Sequence, residues 1–141
     1  MAEEFAVRPA TPADLPLIYS SCARSFHGSP YYRDVAGPAW TATVNRLVGE
    51  RLEDPRWLAL VAHPLGMEDE IAGWLLARPD LPAVLGPYVK HSYRLLGVAR
   101  MLAQKAGVTP GEAVAVVLAS PSLLASARAK GYRPHLSPYV I

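Results

Sequence analysis

The sequence is short of several things, and each shortage removes a class of protein. It has one cysteine, Cys22, so no internal disulfide can close and no multi-cysteine metal site can assemble. It has no long apolar run. The longest uninterrupted one, Ala113 to Ala119, falls far short of the roughly 20 residues that a membrane span needs. Charged residues are only 18% of the chain against 51% hydrophobic ones, which describes a core-forming globular protein and not a disordered one. His27, His63 and His135 lack metal-ligand spacing, so no metal is expected. The opening Met1-Ala2-Glu3-Glu4 is acidic where a secretory or transit peptide would be basic, and a cytoplasmic protein is the expectation.

Acidic residues are also scarce in one part of the chain. Residues 1–84 carry seven Lys/Arg against eleven Asp/Glu, a net of −4, whereas residues 85–141 carry seven against Glu112 alone, a net of +6. A basic C-terminal half suits an anionic ligand, and a solvated face is the bland alternative. The cations are scattered and not interleaved with aromatics, which favours a phosphate-bearing cofactor over nucleic acid.

What is present reads as one α/β domain over residues 1–141. Phe5-Ala6-Val7-Arg8 alternates as a short strand. Thr11-Pro12-Ala13-Asp14 opens a helix, with Thr11 as cap, Pro12 in the first turn and Asp14 placed to reach back to the cap. Leu15, Ile18, Cys22 and Phe26 then form one apolar stripe, which makes Cys22 a core residue. A loop over His27–Tyr32 leads to a second helix from Pro38, with the stripe Trp40, Val44, Leu47, Val48 and Leu52. Strands are expected at Trp57–His63, Ile71–Ala77 and Ala83–Val89, the last with a bulge or splay at Gly86-Pro87 because proline cannot donate to a ladder. The spacing predicts a helix over Tyr93–Ala106, a buried strand at Ala113–Ala119 and a helix capped by Ser120-Pro121 and stopped at Gly131. An edge strand at Tyr139-Val140-Ile141 completes the order β-α-α-β-β-β-α-β-α-β.

The segment with most chemical content is Val84 to Ala99, a splayed strand feeding a helix expected to begin near Arg94. The first turn of a helix leaves backbone N–H groups without partners and carries partial positive charge, so an anion is stabilised there. Gly97 lacks a Cβ and Ala99 is small, so phosphates can come close to the backbone, and Arg94 adds a fixed cation. The bland alternative is that Gly97 and Ala99 merely let a helix pack tightly on the sheet.

Arg94-Leu95-Leu96-Gly97-Val98-Ala99 resembles the Arg/Gln-x-x-Gly-x-Gly/Ala pyrophosphate motif of the GNAT N-acetyltransferase superfamily, with Val89 five residues ahead of the arginine. The opening Val7-Arg8-Pro9-Ala10 with Asp14, and the closing Lys130-Gly131-Tyr132, are similar to the same superfamily, so the resemblance spans nearly the whole chain in order. The segment Tyr88-Val89-Lys90-His91-Ser92-Tyr93-Arg94 is most similar to small GNAT-like proteins of tailed phages, for which the compartment would be the host cytoplasm.

The resemblance implies an α/β fold with a mixed, mostly antiparallel sheet, a splayed central strand and flanking helices. It implies acetyl-CoA as acyl donor, held by Tyr88, Val89, Arg94, Leu95, Leu96, Gly97, Val98 and Ala99. The acceptor would be a small-molecule or peptide amine, reached through Tyr31 and Tyr32 on the loop between the first two helices, and a homodimer is allowed. The family's usual general-acid tyrosine falls on Ala127, which cannot donate a proton, and its strand-five asparagine falls near Ser120, which has a second reading as a helix cap. Tyr88, Ser120 and His91 are therefore the candidate catalytic groups, with transfer of acetyl to an amine as the leading activity. The alternative is a catalytically quiet GNAT fold used as a CoA-binding or protein-interaction module.

Overall fold

The computed structural model describes residues 4–137. Six strands form one sheet in the order β1-β2-β3-β4-β5-β6, which is also their order along the chain. They are β1 (Phe5–Pro9), β2 (Leu58–Pro64), β3 (Gly73–Arg78), β4 (Ala83–Val89), β5 (Ala113–Val116) and β6 (Arg133–Leu136). β1 to β4 are mutually antiparallel, while β5 runs parallel to β4 and β6 parallel to β5. The helices are α1 (Leu15–His27), α2 (Gly37–Glu53), α3 (Val98–Lys105) and α4 (Pro121–Ala129). Two successive parallel steps in one direction require two right-handed crossovers, which put α3 and α4 on the same face. α1 and α2 cover the other.

Strand alternation divides the core accordingly. Ile18, Cys22, Phe26, Trp40, Val44 and Val48 pack on Val61, Trp74, Leu76 and Leu85 on one side. Val98, Leu102, Ala106 and Leu124 pack on Ala62, Leu75, Val84, Val114 and Val116 on the other. The Cys22 thiol is fully buried, and desolvation pushes it up to about 12, which leaves it inert. Trp74 anchors the first layer, its indole N–H donating to Ser21 Oγ at 2.7 Å. Arg51 is buried too, its guanidinium 5.0 Å from the centre of the Trp57 ring.

The opening of α1 forms as the Thr-Pro-Ala-Asp pattern requires. Asp14 Oδ2 accepts from the Thr11 N–H at 2.7 Å, after a 3-10 turn over Pro12–Asp14. Arg8 grips the same carboxylate through both terminal nitrogens, at 2.7 and 3.1 Å, which fastens β1 to the helix start. That arginine, assisted by Thr11, holds the Asp14 carboxyl below the usual carboxylate range despite its burial.

Several boundaries differ from expectation. β2 and β3 start one and two residues later than the apolar pattern suggested, and β5 ends at Val116. The helix expected over Tyr93–Ala106 begins only at Val98, because Leu95 (φ 66°) and Gly97 (φ 83°) take left-handed backbone that no α-helix contains. Tyr93 belongs instead to a 3-10 turn over His91–Tyr93. Among the described residues the last strand is β6 at Arg133–Leu136, where Pro134 is tolerated because β6 has a neighbour there on one side only. Tyr139-Val140-Ile141 lies outside the described residues.

Candidate functional site

The site begins with one extra residue in β4. Leu76 pairs with Leu85 and Trp74 with Tyr88, so Leu75 alone on β3 faces two residues of β4, Gly86 and Pro87. This bulge falls at Gly86-Pro87. A Cβ on Gly86 would lie 3.1 Å from the Trp74 ring, so the bulge packs against the indole only as glycine. Before the bulge, the carbonyls of Pro82 and Val84 accept from the N–H groups of Ala115 and Val117, at 3.0 and 2.9 Å. After it, the Lys90 N–H turns to Ala72 O in the opposite direction, and alternation aims the Val89 N–H away from β3, into the gap beside β5. Pro87 has no N–H to offer. The β4–β5 register accordingly stops after Ala83↔Ala115 and Val84↔Val116. Beyond those two pairs the strands part.

The carboxyl ends of both parallel strands open into this gap, and each leads to a helix N-terminus. On the β4 side, the turn Arg94–Gly97 is folded back by Arg94, whose Nε donates to Val89 O at 3.1 Å. Among the described residues, the backbone N–H groups of Leu95, Leu96 and Gly97 donate to no carbonyl. Those of Val98, Ala99 and Arg100 are the partnerless first-turn donors of α3. The Leu95 side chain projects wholly into solvent, so the turn spends its exposed surface on backbone polarity and not on packing. A Cβ built on Gly97 meets nothing within 4 Å. Gly97 is therefore not a packing glycine; the space in front of it is open. A turn dense in unpartnered backbone donors, with no side chain over its centre, can cradle an anion.

A cleft of about 380 Å³ runs from this cradle into the splay. Tyr88, Val89, Arg94, Gly97, Ser120 and Lys130 are among its walls. Arg94, Arg100 and Lys130 make the rim cationic, which gives the positive half of the sequence a geometric focus. Tyr88 is half-buried on the α1–α2 face, stacked on Trp74 with ring centres 6.1 Å apart. Ser120 is the N-cap of α4: its Oγ accepts from the Leu123 N–H at 3.1 Å and lies 3.2 Å from Ser122 Oγ.

A tyrosine occupies the fork. The next N–H after Val117 in the direction of β4 would be that of Ala119, and it donates instead to the Tyr32 hydroxyl at 3.2 Å. Tyr32 reaches this point because its ring stacks on Trp40, 5.0 Å between centres. Burial pushes its phenol above the ordinary tyrosine value, so it stays protonated at neutral pH with its own hydrogen still to donate.

No protein-family model matches this sequence, and a search of curated proteins finds nothing similar to it. Solved structures do match. A provisionally assigned acetyltransferase of Pyrococcus furiosus superposes with a TM-score of 0.61 at 13% identity, over 98% of this chain and 97% of its own. AAC(6')-Iy, solved with the bisubstrate analogue CoA-S-monomethyl-acetylneamine, gives 0.54 at 18% identity, over 97% and 95%. A transcriptional regulator of Bacillus halodurans C-125 gives 0.50 at 16%, over 94% and 82%. The fold is that of the GNAT acetyltransferases. At these identities the likeness concerns the path of the backbone alone, and function has to be argued from the site.

On this GNAT fold the residues singled out from sequence separate into two groups. Tyr88, Val89, Arg94, Leu95, Gly97, Val98, Ala99 and Ser120 all line the one cleft. Leu96 lies on the cradle turn, outside the lining, and His91 is exposed on the preceding 3-10 turn, also outside it. Tyr31 and Tyr32 are not an exposed pair: Tyr31 is 46% exposed, whereas Tyr32 is half-buried in the fork. Ala127 lies on the α3-facing side of α4, lining a neighbouring apolar cavity. Sequence reasoning missed the hydroxyl of Tyr32 at Ala119, a contact spanning 87 residues that no local pattern encodes. It also passed over Arg100 and Lys130 as site residues, although the charge asymmetry was their signal. No group of three or more potential metal-binding side chains occurs among the described residues, and no helix there is long and apolar enough to cross a membrane.

Proposed function

We propose that this chain, over residues 1–141, binds acetyl-CoA and transfers the acetyl group to an amine by direct attack in a ternary complex. The observation that carries the reading is the open space before Gly97, set over a turn of unpartnered N–H groups at the mouth of a splayed strand pair. The N–H groups from Leu95 to Ala99 would hold the pyrophosphate, with Arg94, Arg100 and Lys130 as counter-charges. The free edge of β4 at Tyr88 and Val89 would pair with the amides of the pantetheine arm, and the Val89 N–H would face the thioester carbonyl.

In the reaction, the amine nitrogen bonds to the thioester carbon and the carbonyl oxygen becomes an oxyanion, stabilised by that N–H. The C–S bond then breaks, and the thiolate takes a proton as the new ammonium loses one to solvent. Tyr88 and Ser120 line the cleft as candidate donors, and His91 can exchange protons with bulk water from the surface. AAC(6')-Iy was solved with the bisubstrate analogue CoA-S-monomethyl-acetylneamine, which supports a small amine acceptor here, with Tyr31 and Tyr32 on its approach.

Ala127 in place of a proton-donating tyrosine supports a second reading, in which the fold binds CoA without turnover. Calorimetry and thiol release separate the two. Acetyl-CoA should bind, and at a hundredfold excess over its Kd should stabilise the fold by about 2.7 kcal/mol. Thiol release across spermidine, neamine and lysine peptides should exceed buffer hydrolysis, and Tyr88→Phe should slow it with acetyl-CoA affinity kept. Binding without release for any acceptor leaves the quiet module; no binding at millimolar acetyl-CoA ends both readings.

A further inference from the structure

Beside the cleft, and opening into it, lies a second cavity of about 280 Å³. It sits between α3 and α4 above the sheet, and its walls are mostly apolar, with Val84, Val114, Leu124, Ala103 and Ala127, while Arg100, Gln104 and Lys130 also line it. The two spaces share Pro87, Ala99, Arg100, Leu123, Ser126 and Lys130, so one continues into the other at the splay. The second cavity is open to solvent along part of its length, and its apolar floor is left uncovered by any side chain of the described residues. Small side chains hold it open from both sides, Ala99 and Ala103 on α3 and Ala127 on α4. A tyrosine at 127 would fill much of it.

The direction of the cleft says what can enter. The anion cradle lies beyond the carboxyl end of β4, so a chain-like ligand with its phosphates there and its arm laid along β4 runs back past Val89 and Tyr88 towards Pro87. Whatever extends past the thioester next meets Pro87 and Gly86, which line the apolar cavity. We propose that this cavity is an acyl-chain pocket, and that the CoA site which accepts acetyl-CoA binds a medium-chain acyl-CoA more tightly still. The inference rests on the CoA reading above and specifies its substrate class. At about 30 Å³ for a methylene-sized group, the share of a liquid water, the volume takes about nine carbons.

The test is calorimetry of the full chain with CoA, acetyl-CoA, octanoyl-CoA and palmitoyl-CoA. Each buried methylene tightens binding about fourfold. Six more in a partly open pocket should make octanoyl-CoA on the order of a hundredfold tighter than acetyl-CoA, with little further gain for palmitoyl-CoA once the space is full. Ala127→Phe and Ala103→Phe fill the pocket from opposite helices, and each should bring the octanoyl-to-acetyl ratio down to within about tenfold. Equal affinities for acetyl- and octanoyl-CoA overturn the pocket and leave the CoA reading standing. A gain that keeps rising through palmitoyl-CoA, or that survives both fillings, marks unspecific apolar contact and also overturns it. If none of the four binds, both readings fall together.

Discussion

Replacing Gly97 with alanine separates backbone strain from ligand contact, because the two act on different measurements. The residue sits at φ 83°, and a Cβ there meets no protein atom within 4 Å, so the substitution costs conformational energy but creates no clash. A non-glycine residue in left-handed backbone is destabilised by about 1–2 kcal/mol. For a chain of this size that is a fall in Tm of about 3–8 °C. Gly66 is the matched control: φ 76°, equally open, and in the β2–β3 connection away from the cleft. Gly66→Ala and Gly97→Ala should therefore lose similar stability by differential scanning fluorimetry. Only Gly97→Ala should lose ligand. A methyl group in front of the cradle pushes a phosphate off at least one charge-assisted N–H bond, worth about 1.5–3 kcal/mol, or about 10- to 150-fold in Kd for CoA. If Gly97→Ala melts like Gly66→Ala yet binds CoA as tightly as the unmodified chain, the open space is not where a phosphate sits and the cradle argument fails.

Tyr32→Phe leaves the fully buried Ala119 N–H without a partner and should cost about 1–3 kcal/mol; a melting midpoint unchanged within error would mean that the hydroxyl contributes nothing at the fork. Asp14, its native pKa lowered chiefly by the Arg8 hydrogen bond, adds stability above its unfolded value near 4, which is lost as pH falls through the lower native value. The gap in Tm between the unmodified chain and Arg8→Met should thus be constant above about pH 5 and close on acidification, and a gap that widens at low pH contradicts the pairing. Duplex DNA should bind weakly and let go at modest salt, since three of the seven cations of the C-terminal half, Arg94, Arg100 and Lys130, line one cleft and the rest are scattered; sequence-specific binding that persists at physiological salt would reassign them.

The parts of the fold that were legible in the sequence are those fixed by neighbours. The Thr11–Asp14 box, the stripes of α1 and α2, the Ser120-Pro121 cap and the bulge at Gly86-Pro87 each depend on residues within a turn or two, and each formed. The start of α3 was misread because Leu95 and Leu96 continue the apolar spacing of the helix while both lie exposed on the cradle turn. Positive φ at Leu95, a branched aliphatic residue, has no sequence signature at all. β6 was hidden by Pro134, whose acceptability depends on an edge position that only the completed sheet defines. The motif from Arg94 to Ala99 falls on the turn between the splayed strand and α3, as its position in the sequence suggests, but Gly97 does not serve helix–sheet packing: it makes room for nothing belonging to the protein. The content of the fork, Tyr32 against Ala119, follows from tertiary packing alone.

The early end of the β4–β5 register has a consequence for cooperativity. β1 to β4 form a continuous antiparallel meander, whereas β5, α4 and β6 join it along the sheet through two residue pairs only. Such a joint is a seam along which the C-terminal unit can detach in a sub-global opening of lower free energy than complete unfolding. Amide exchange should then report two tiers of protection, with β5 and β6 exchanging ahead of β2 and β3 in the absence of ligand. A molecule lying in the cleft touches Val89 and Gly97 on one side of the seam and Ser120 and Lys130 on the other, so it would bridge the two units and merge the tiers into one. The gap proposed to admit the ligand is also the place where the sheet is least continuous, and binding would complete the cooperative unit that the bulge at Gly86-Pro87 interrupts.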